Sequence, residues 1–208
     1  MRFDSPLNDI FLNRSHIRIL RALYRMPQGL PGSGREIARR AGVTHPTALK
    51  ALGTLAETGL VTAARSPAGD AHELNRDHHF ADKIADLYQA EAGIRRNLAS
   101  FLRDELLALT DKVEWATLFG SVAWGESTPT SDIDLAVSCA RTDVAEVEKA
   151  LEALSGTSRR RFGNHISPLI NARKQKPKTG IWKRLEEDGV PLIRSGKAVS
   201  LLRREGRQ

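Results

Sequence analysis

Two acidic residues of the chain are close enough in sequence to act on one ligand. Asp132 and Asp134 are separated by a single residue and begin an apolar, β-prone run, SDIDLAVSC at 131–139. Because alternate side chains of a strand share a face, we expect both carboxylates to point to the same side. Two such carboxylates repel each other, and a hard divalent cation such as Mg²⁺ relieves the repulsion. The pair is therefore a candidate metal site.

A glycine-serine turn precedes the acidic pair. Gly120 and Ser121 end a second apolar run, VEWATLFGS at 113–121, and ten residues lie between Ser121 and Asp132. Glycine lets backbone N–H groups approach an anion, and the serine hydroxyl adds a donor. The spacing thus predicts a site in which metal and turn together hold a triphosphate.

This order of strand, Gly-Ser and Asp-X-Asp resembles the nucleotidyltransferases of the polymerase-beta superfamily, most closely its minimal nucleotidyltransferase branch. The resemblance covers residues 112 to about 194. It implies an α/β fold with a small mixed sheet, and transfer of a nucleoside monophosphate from an NTP to a hydroxyl with Mg²⁺ or Mn²⁺ as cofactor. It assigns catalysis and metal binding to Asp132 and Asp134, and nucleotide binding to Gly120, Ser121 and Ser131.

The sequence departs from that family pattern at two places. Members often have an arginine where Trp124 stands, which would supply a phosphate-facing cation. Active members also carry a third carboxylate on a later strand, whereas RFGNHISPLIN at 161–171 contains no Asp or Glu. His165 or Ser167 would occupy that position, and neither is an equivalent metal ligand.

Three functions therefore stay open for the second half of the chain. It is an active nucleotidyltransferase, or a catalytically inactive nucleotide sensor or dimerisation unit of a regulator, or a toxin–antitoxin component, since minimal nucleotidyltransferases are often antitoxins with a partner toxin. Asp143 and Glu146, in the helical segment before the acid-free strand, are expected to face solvent rather than to complete the metal site.

The first third of the chain has the pattern of a helix-turn-helix. Residues 35–61 read as two helices around Ala41-Gly42-Val43, the second one beginning at Thr44 or His45 with Pro46 near its first position. Leu49, Leu52 and Leu55 are expected to face the core.

A hairpin follows this pair of helices at 60–75, with turn-forming residues at its tip. Together, residues 15–76 resemble the winged helix-turn-helix domains of bacterial and archaeal regulators. The resemblance implies binding to double-stranded DNA, with the second helix in the major groove and the wing at phosphate or the minor groove. The candidate DNA-binding residues are Thr44, His45, Thr47, Lys50 and Arg65. The alternative is a protein-docking module.

Apolar residues recur at helical spacings through residues 80–109, which predicts one long connector helix or two shorter ones, with Gly93 as the weakest point. Such an apolar stripe is usually packed in a hydrophobic core. Beside a winged helix it could instead pair two chains into a homodimer, which the reading of palindromic DNA requires.

The fold class expected from these patterns is α+β. The expected domains are a winged helix-turn-helix at 1–78, a connector helix at 79–110, a nucleotidyltransferase-fold domain at 111–195 and a basic tail at 196–208. The formal net charge is +7, distributed as about +4 over residues 1–80, −7 over 81–156 and +10 over 157–208. This charge favours a polyanionic partner.

Cys139 is the only cysteine, which excludes a disulfide framework or a thiolate cluster within one chain. The N-terminal MRFDSPLNDI lacks a signal pattern, and no apolar run approaches the roughly 18 residues that span a bilayer. We therefore expect a cytoplasmic protein without a membrane partner.

Overall fold

The computed structural model describes residues 11–65, 69–109, 111–172, 185 and 187–200. The chain divides into two compact units, Met1–Ala92 and Gly93–Gln208, and the class is α+β as expected. The tip of the expected hairpin, 66–68, and most of the expected tail, 201–208, lie outside the described residues.

The first unit contains the expected winged helix. Its helices are α1 (Arg14–Tyr24), α2 (Gly34–Ala41) and α3 (His45–Glu57), and its strands are β1 (Gly32–Ser33), β2 (Val61–Ala64) and β3 (Ala71–Leu74). The strands form an antiparallel sheet in the order β1-β3-β2, and the β2–β3 hairpin is the wing.

Local capping sets the helix-turn-helix. The Ser33 hydroxyl accepts a hydrogen bond from the Glu36 backbone N–H and begins α2, and Gly42, at φ 63°, ends it in the left-handed conformation that glycine adopts without strain. The Thr44 hydroxyl then accepts from the Thr47 backbone N–H at 3.4 Å, and Pro46 lies in the first turn of α3.

The expected burial of Leu49 is wrong. The buried side of α3 consists of Ala48, Ala51, Leu52 and Leu55, which follow the helical spacing of three and four. Leu49 is 45% exposed because its position lies beside that stripe rather than within it.

The second unit is built on a five-stranded mixed sheet in the order β6-β5-β4-β7-β8. The strands are β4 (Val113–Phe119), β5 (Ile133–Cys139), β6 (Ile166–Asn171), β7 (Val190–Arg194) and β8 (Lys197–Ala198). The helices are α4 (Ala81–Leu107), which continues from the first unit, α5 (Gly120–Trp124) and α6 (Val144–Phe162), the last preceded by a 3₁₀ turn at Arg141–Asp143. β5 and β6 are parallel, and the other pairs are antiparallel.

The two faces of this sheet are covered differently. Side chains such as Leu118, Leu135 and Val137 share one cluster with α4 and α6, through residues such as Leu102 and Leu151. The opposite face carries a smaller cluster of Trp115, Ala136 and Leu185, with Phe119 and Leu169 packed against it. Since alternate residues of β5 point to opposite faces, Asp134 lies on the thinly covered face.

One buried polar side chain in the wing predicts a pH effect on stability. His72 of β3 is 6% exposed, and neither ring nitrogen has a hydrogen-bond partner within the described residues. Burial lowers the pKa of His72, and the charge of Asp70 opposes this to a smaller extent. The unfolded state therefore binds the proton more readily, so the free energy of unfolding should fall as the pH drops below the unfolded value of 6.5.

We expect His72→Leu to remove this part of the acid destabilisation and to raise the free energy of unfolding at pH 7 by about 1 kcal/mol, because an unsatisfied buried polar group is lost. Urea denaturation at pH 5 and pH 7 measures both effects. His79→Leu, at an exposed histidine, is the matched control. An equal pH dependence in both variants would show that His72 is not the source.

Candidate active site

The Gly-Ser turn and the acidic pair lie close together, at the last residue of β4 and the start of β5. Phe119, the last residue of β4, is paired with Asp134, and Gly120 then turns the chain into α5 at φ 73°. A Cβ atom on Gly120 would lie 2.0 Å from Oδ2 of Asp134 and 2.9 Å from its Cγ. No other residue type leaves this carboxylate in place, so the glycine is required by both its backbone conformation and its contact.

The two carboxylates differ in exposure. Asp132 is exposed, whereas Asp134 is half-buried beside the turn. Burial raises the pKa of Asp134, and the negative charge of Asp132 raises it further. The ionised pair is thus held at an electrostatic cost, which a cation bound between the carboxylates would relieve.

Ser121 and Ser131 have different surroundings. The Ser121 hydroxyl, in the first turn of α5, has no side-chain hydrogen bond in the described part of the chain and is available to a ligand. The Ser131 hydroxyl instead accepts from the Thr128 backbone N–H at 2.9 Å, while its carbonyl accepts from Asn164 Nδ2 at 2.7 Å. These bonds connect the loop before Asp132 to Thr128 and Asn164, and they engage the Ser131 hydroxyl within the protein.

The strand beside the acidic pair lacks a third carboxylate. Ser167 of β6 is the direct parallel neighbour of Asp134, and the His165 carbonyl accepts from the Ile133 backbone N–H at 2.8 Å. Both side chains are exposed. Because paired residues of parallel strands share a face, Ser167 lies beside Asp134 on the same face of the sheet.

The neighbouring acids do not fill this gap. Glu146 accepts a hydrogen bond from Lys112, which precedes β4 and so lies at the end of that strand opposite Gly120. Within the described residues, no three His, Cys, Asp or Glu side chains form a metal-binding group. Asp132 and Asp134 nevertheless fit a magnesium ion, because Mg²⁺ is commonly held by one or two carboxylates, with water and substrate phosphates completing its shell.

Comparison with protein family models matches both units. Residues 12–70 match the MarR family, and residues 104–194 match the family described as polymerase beta, nucleotidyltransferase. The chain joins a MarR-family winged helix domain to a nucleotidyltransferase domain. No curated protein and no solved structure gave a significant match.

These families carry general expectations for the two domains. Nucleotidyltransferase domains generally use an NTP and a divalent metal, and MarR members are typically dimers. A partner toxin finds no support in the comparisons. No helix in the described part of the chain is long and apolar enough to cross a membrane.

An arginine that sequence reasoning missed lies at the end of α5 that is opposite the Gly-Ser turn. Trp124, at the family's arginine position, is 51% exposed, and its indole N–H donates to the Asp188 carbonyl at 3.2 Å. The guanidinium of Arg95, from α4, packs on Gly125, where a Cβ would lie 2.5 Å from Arg95 Nη1. Positive charge therefore reaches the end of α5 from another element. Within the motif, the sequence signal for this contact is Gly125, whose lack of a side chain makes room for Arg95.

The MarR-like domain exposes most of the predicted DNA-binding residues. Thr44, Thr47 and Lys50 are exposed in the first turns of α3, and the Thr44 and Thr47 hydroxyls are 2.8 Å apart. His45 is half-buried, with its ring close to Gly34. Arg65 is exposed at the end of β2, directly before the wing tip. Their contact with DNA stays a prediction.

Proposed function

We propose that this protein is a DNA-binding regulator whose nucleotidyltransferase domain binds an NTP with Mg²⁺ and transfers the nucleoside monophosphate to a hydroxyl acceptor. The observation that carries the proposal is the contact of Gly120 with Asp134. That contact holds a carboxylate beside a turn whose backbone N–H groups and serine hydroxyl are suited to phosphate oxygens.

Each residue of the site has a defined part in this proposal. Asp132 and Asp134 would hold the metal, which neutralises phosphate charge and activates the nucleophile. The Ser121 hydroxyl donates to a phosphate oxygen, and Arg95 adds positive charge at the other end of α5. Asn164 keeps the loop before Asp132 in position through the Ser131 carbonyl. The site therefore acts mainly by positioning and charge neutralisation.

The second candidate function is a catalytically inactive nucleotide sensor. The observation favouring it is Ser167, a neutral side chain next to Asp134 where active members carry a third carboxylate. The absence of a third carboxylate removes a ligand for a second metal and a possible general base. It leaves the binding of one metal and a nucleotide intact.

Calorimetry with ATP and Mg²⁺ tests both candidates. We expect the wild type to bind and Asp132→Ala/Asp134→Ala to lose affinity by about 100-fold or more, because the metal loses both protein ligands. Glu148→Ala/Glu152→Ala, which removes two exposed acids of α6, should retain affinity within about twofold. No binding by the wild type would refute both candidates. Pyrophosphate release during binding identifies the transferase, and its absence with a range of hydroxyl acceptors identifies the sensor.

DNA binding by the MarR-like domain has its own test. We expect Lys50→Ala and Arg65→Ala each to weaken binding to an operator duplex and to reduce the slope of log affinity against log salt by about 0.9, since each removes one phosphate contact. Fluorescence anisotropy over a range of salt concentrations measures the slope. Lys149→Ala, at an exposed lysine of α6, is the control. Unchanged affinity in the first two variants would favour a protein-docking module.

We also infer that two copies of the chain pair through α4. Leu87 and Ile94 are seven residues apart on this helix, so they lie near one face, and they are 60% and 52% exposed. Leu87→Glu/Ile94→Glu should convert a dimer to a monomer in sedimentation at micromolar concentrations. Leu12→Glu/Leu30→Glu, at other exposed leucines, should not. A monomeric wild type would refute the inference.

A further inference from the structure

The MarR-like domain contains a cleft that belongs to neither α3, the recognition helix, nor the wing. It lies between α1 and α2 and has a volume of about 550 Å³. Five arginines line it, namely Arg18, Arg21, Arg25, Arg39 and Arg40. The other lining residues are small, namely Ala22, Ala41 and Gly42.

Three of these guanidinium groups are fixed by protein contacts. Arg21 makes two hydrogen bonds of 2.6 Å to the carboxylate of Glu91, and Arg40 makes bonds of 3.0 and 2.8 Å to that of Glu36. Arg18 donates to the Gly42 carbonyl at 3.0 Å. These contacts hold the groups in one geometry, which lowers the entropy that a ligand must remove on binding.

The other two guanidinium groups have no such partner. The side chains of Arg25 and Arg39 are exposed and make no hydrogen bond or ion pair within the described residues. Five positive charges face two carboxylates, Glu36 and Glu91, so the cleft keeps an excess of positive charge. Bringing an anion into the cleft would relieve that repulsion.

The helix dipole explains only part of this arrangement. Arginines near the last turn of a helix stabilise the negative end of its dipole, and Arg21, Arg39 and Arg40 lie in the last turns of α1 and α2. That effect acts on each helix separately. It does not require the two sets of charges to face one concave volume.

The chemistry of the lining defines the ligand. A volume of about 550 Å³ suits a small molecule rather than a protein segment. The small residues offer no aromatic ring for stacking a base or a phenolic compound. Guanidinium forks match phosphate oxygens in pairs, and two of them are unengaged. We propose that the cleft binds a small linear oligophosphate through Arg25 and Arg39, assisted by the fixed arginines.

Phosphates of the DNA backbone have the same chemistry and are the other source of this anion. The carboxylates of Glu36 and Glu91 stand among the arginines and would repel a continuous tract of backbone charge. Neither acid is among the residues that line the concave volume, so a short oligophosphate within it meets mainly arginines. The geometry thus favours the free anion, and the two sources are separable by experiment.

The test titrates the full-length protein with inorganic tripolyphosphate in the presence of EDTA, which removes divalent metal from the nucleotidyltransferase site. We expect Arg25→Gln/Arg39→Gln to weaken binding by about tenfold or more, because two charge-assisted contacts are lost. Arg96→Gln/Arg141→Gln makes the same change in net charge at exposed arginines outside the cleft and should stay within about twofold of the wild type. Far-UV circular dichroism checks that each variant is folded.

Two further arms identify the source of the anion. Asp132→Ala/Asp134→Ala should still bind tripolyphosphate, because the cleft lies outside the nucleotidyltransferase site. Loss of binding in that variant, no binding by the wild type, or equal weakening in both arginine double variants would overturn the proposal. Weaker binding of Arg25→Gln/Arg39→Gln to an operator duplex, with tripolyphosphate affinity unchanged, would assign the cleft to the DNA backbone and also overturn it.

Discussion

Gly120→Ala is expected to abolish detectable binding of ATP and Mg²⁺. The added methyl group would lie 2.0 Å from Oδ2 of Asp134, well inside van der Waals contact, so the carboxylate must leave its position. The backbone at φ 73° also disfavours a side chain, at a cost of about 1–2 kcal/mol in the free energy of unfolding. The variant therefore combines a modest loss of stability with a complete loss of the metal ligand geometry.

Gly163→Ala separates the two effects. Gly163 follows α6 at φ 86°, and nothing lies within 4 Å of the Cβ it would gain. We expect a similar reduction of the urea midpoint but retained binding of ATP and Mg²⁺ by calorimetry. If Gly120→Ala also binds as the wild type does, the contact with Asp134 does not organise the site, and the proposed function loses its main support.

Ser167→Asp is expected to raise the rate of pyrophosphate release from ATP by about 100-fold or more, because it places a third carboxylate beside Asp134 on the same face of the sheet. The rate is measured with a coupled pyrophosphatase assay in the presence of hydroxyl acceptors. Ser167→Asn has nearly the same shape without the charge and should stay at the wild-type rate. Equal rates in both variants would show that a carboxylate at this position is not what limits turnover.

The same substitution should make stability depend on pH and metal. A further negative charge should raise the pKa of Asp134 beyond the increase that burial and Asp132 already cause. A carboxylate with a raised pKa in the folded state binds protons better when folded, so the free energy of unfolding falls as the pH rises above 3.8 through the folded value. Without metal, Ser167→Asp should therefore be less stable at pH 7 than at pH 4, relative to the wild type. Added Mg²⁺ should reverse the loss at pH 7.

Short-range patterns allowed much of the architecture to be predicted. The turn at Gly42 formed as expected, and of the two expected starts of the second helix, Thr44 or His45, the structure has Thr44 as the cap. Both features depend on residues within one helical turn. The resemblance to winged helices and to nucleotidyltransferases was confirmed by the family matches at 12–70 and 104–194. Leu49 shows the limit of such reasoning, because a shift of one position on a helix rotates a side chain by about 100° and out of the core.

Local sequence patterns were sufficient to identify the groups of the candidate site. Gly120 and Ser121 directly follow β4, and Asp132 and Asp134 stand on either side of Ile133, the first residue of β5. Strand periodicity predicts that both carboxylates point to one face.

The surroundings of these groups depend on how the chain folds and could not be predicted from local patterns. The parallel register brings Ser167, rather than an acid, next to Asp134, and the path of α4 brings Arg95 to Gly125. Both contacts join residues far apart in sequence, and such pairings depend on packing and register that no local pattern specifies. The same holds for the arginine cleft, whose charges come from α1, from Arg25 directly after it, and from α2.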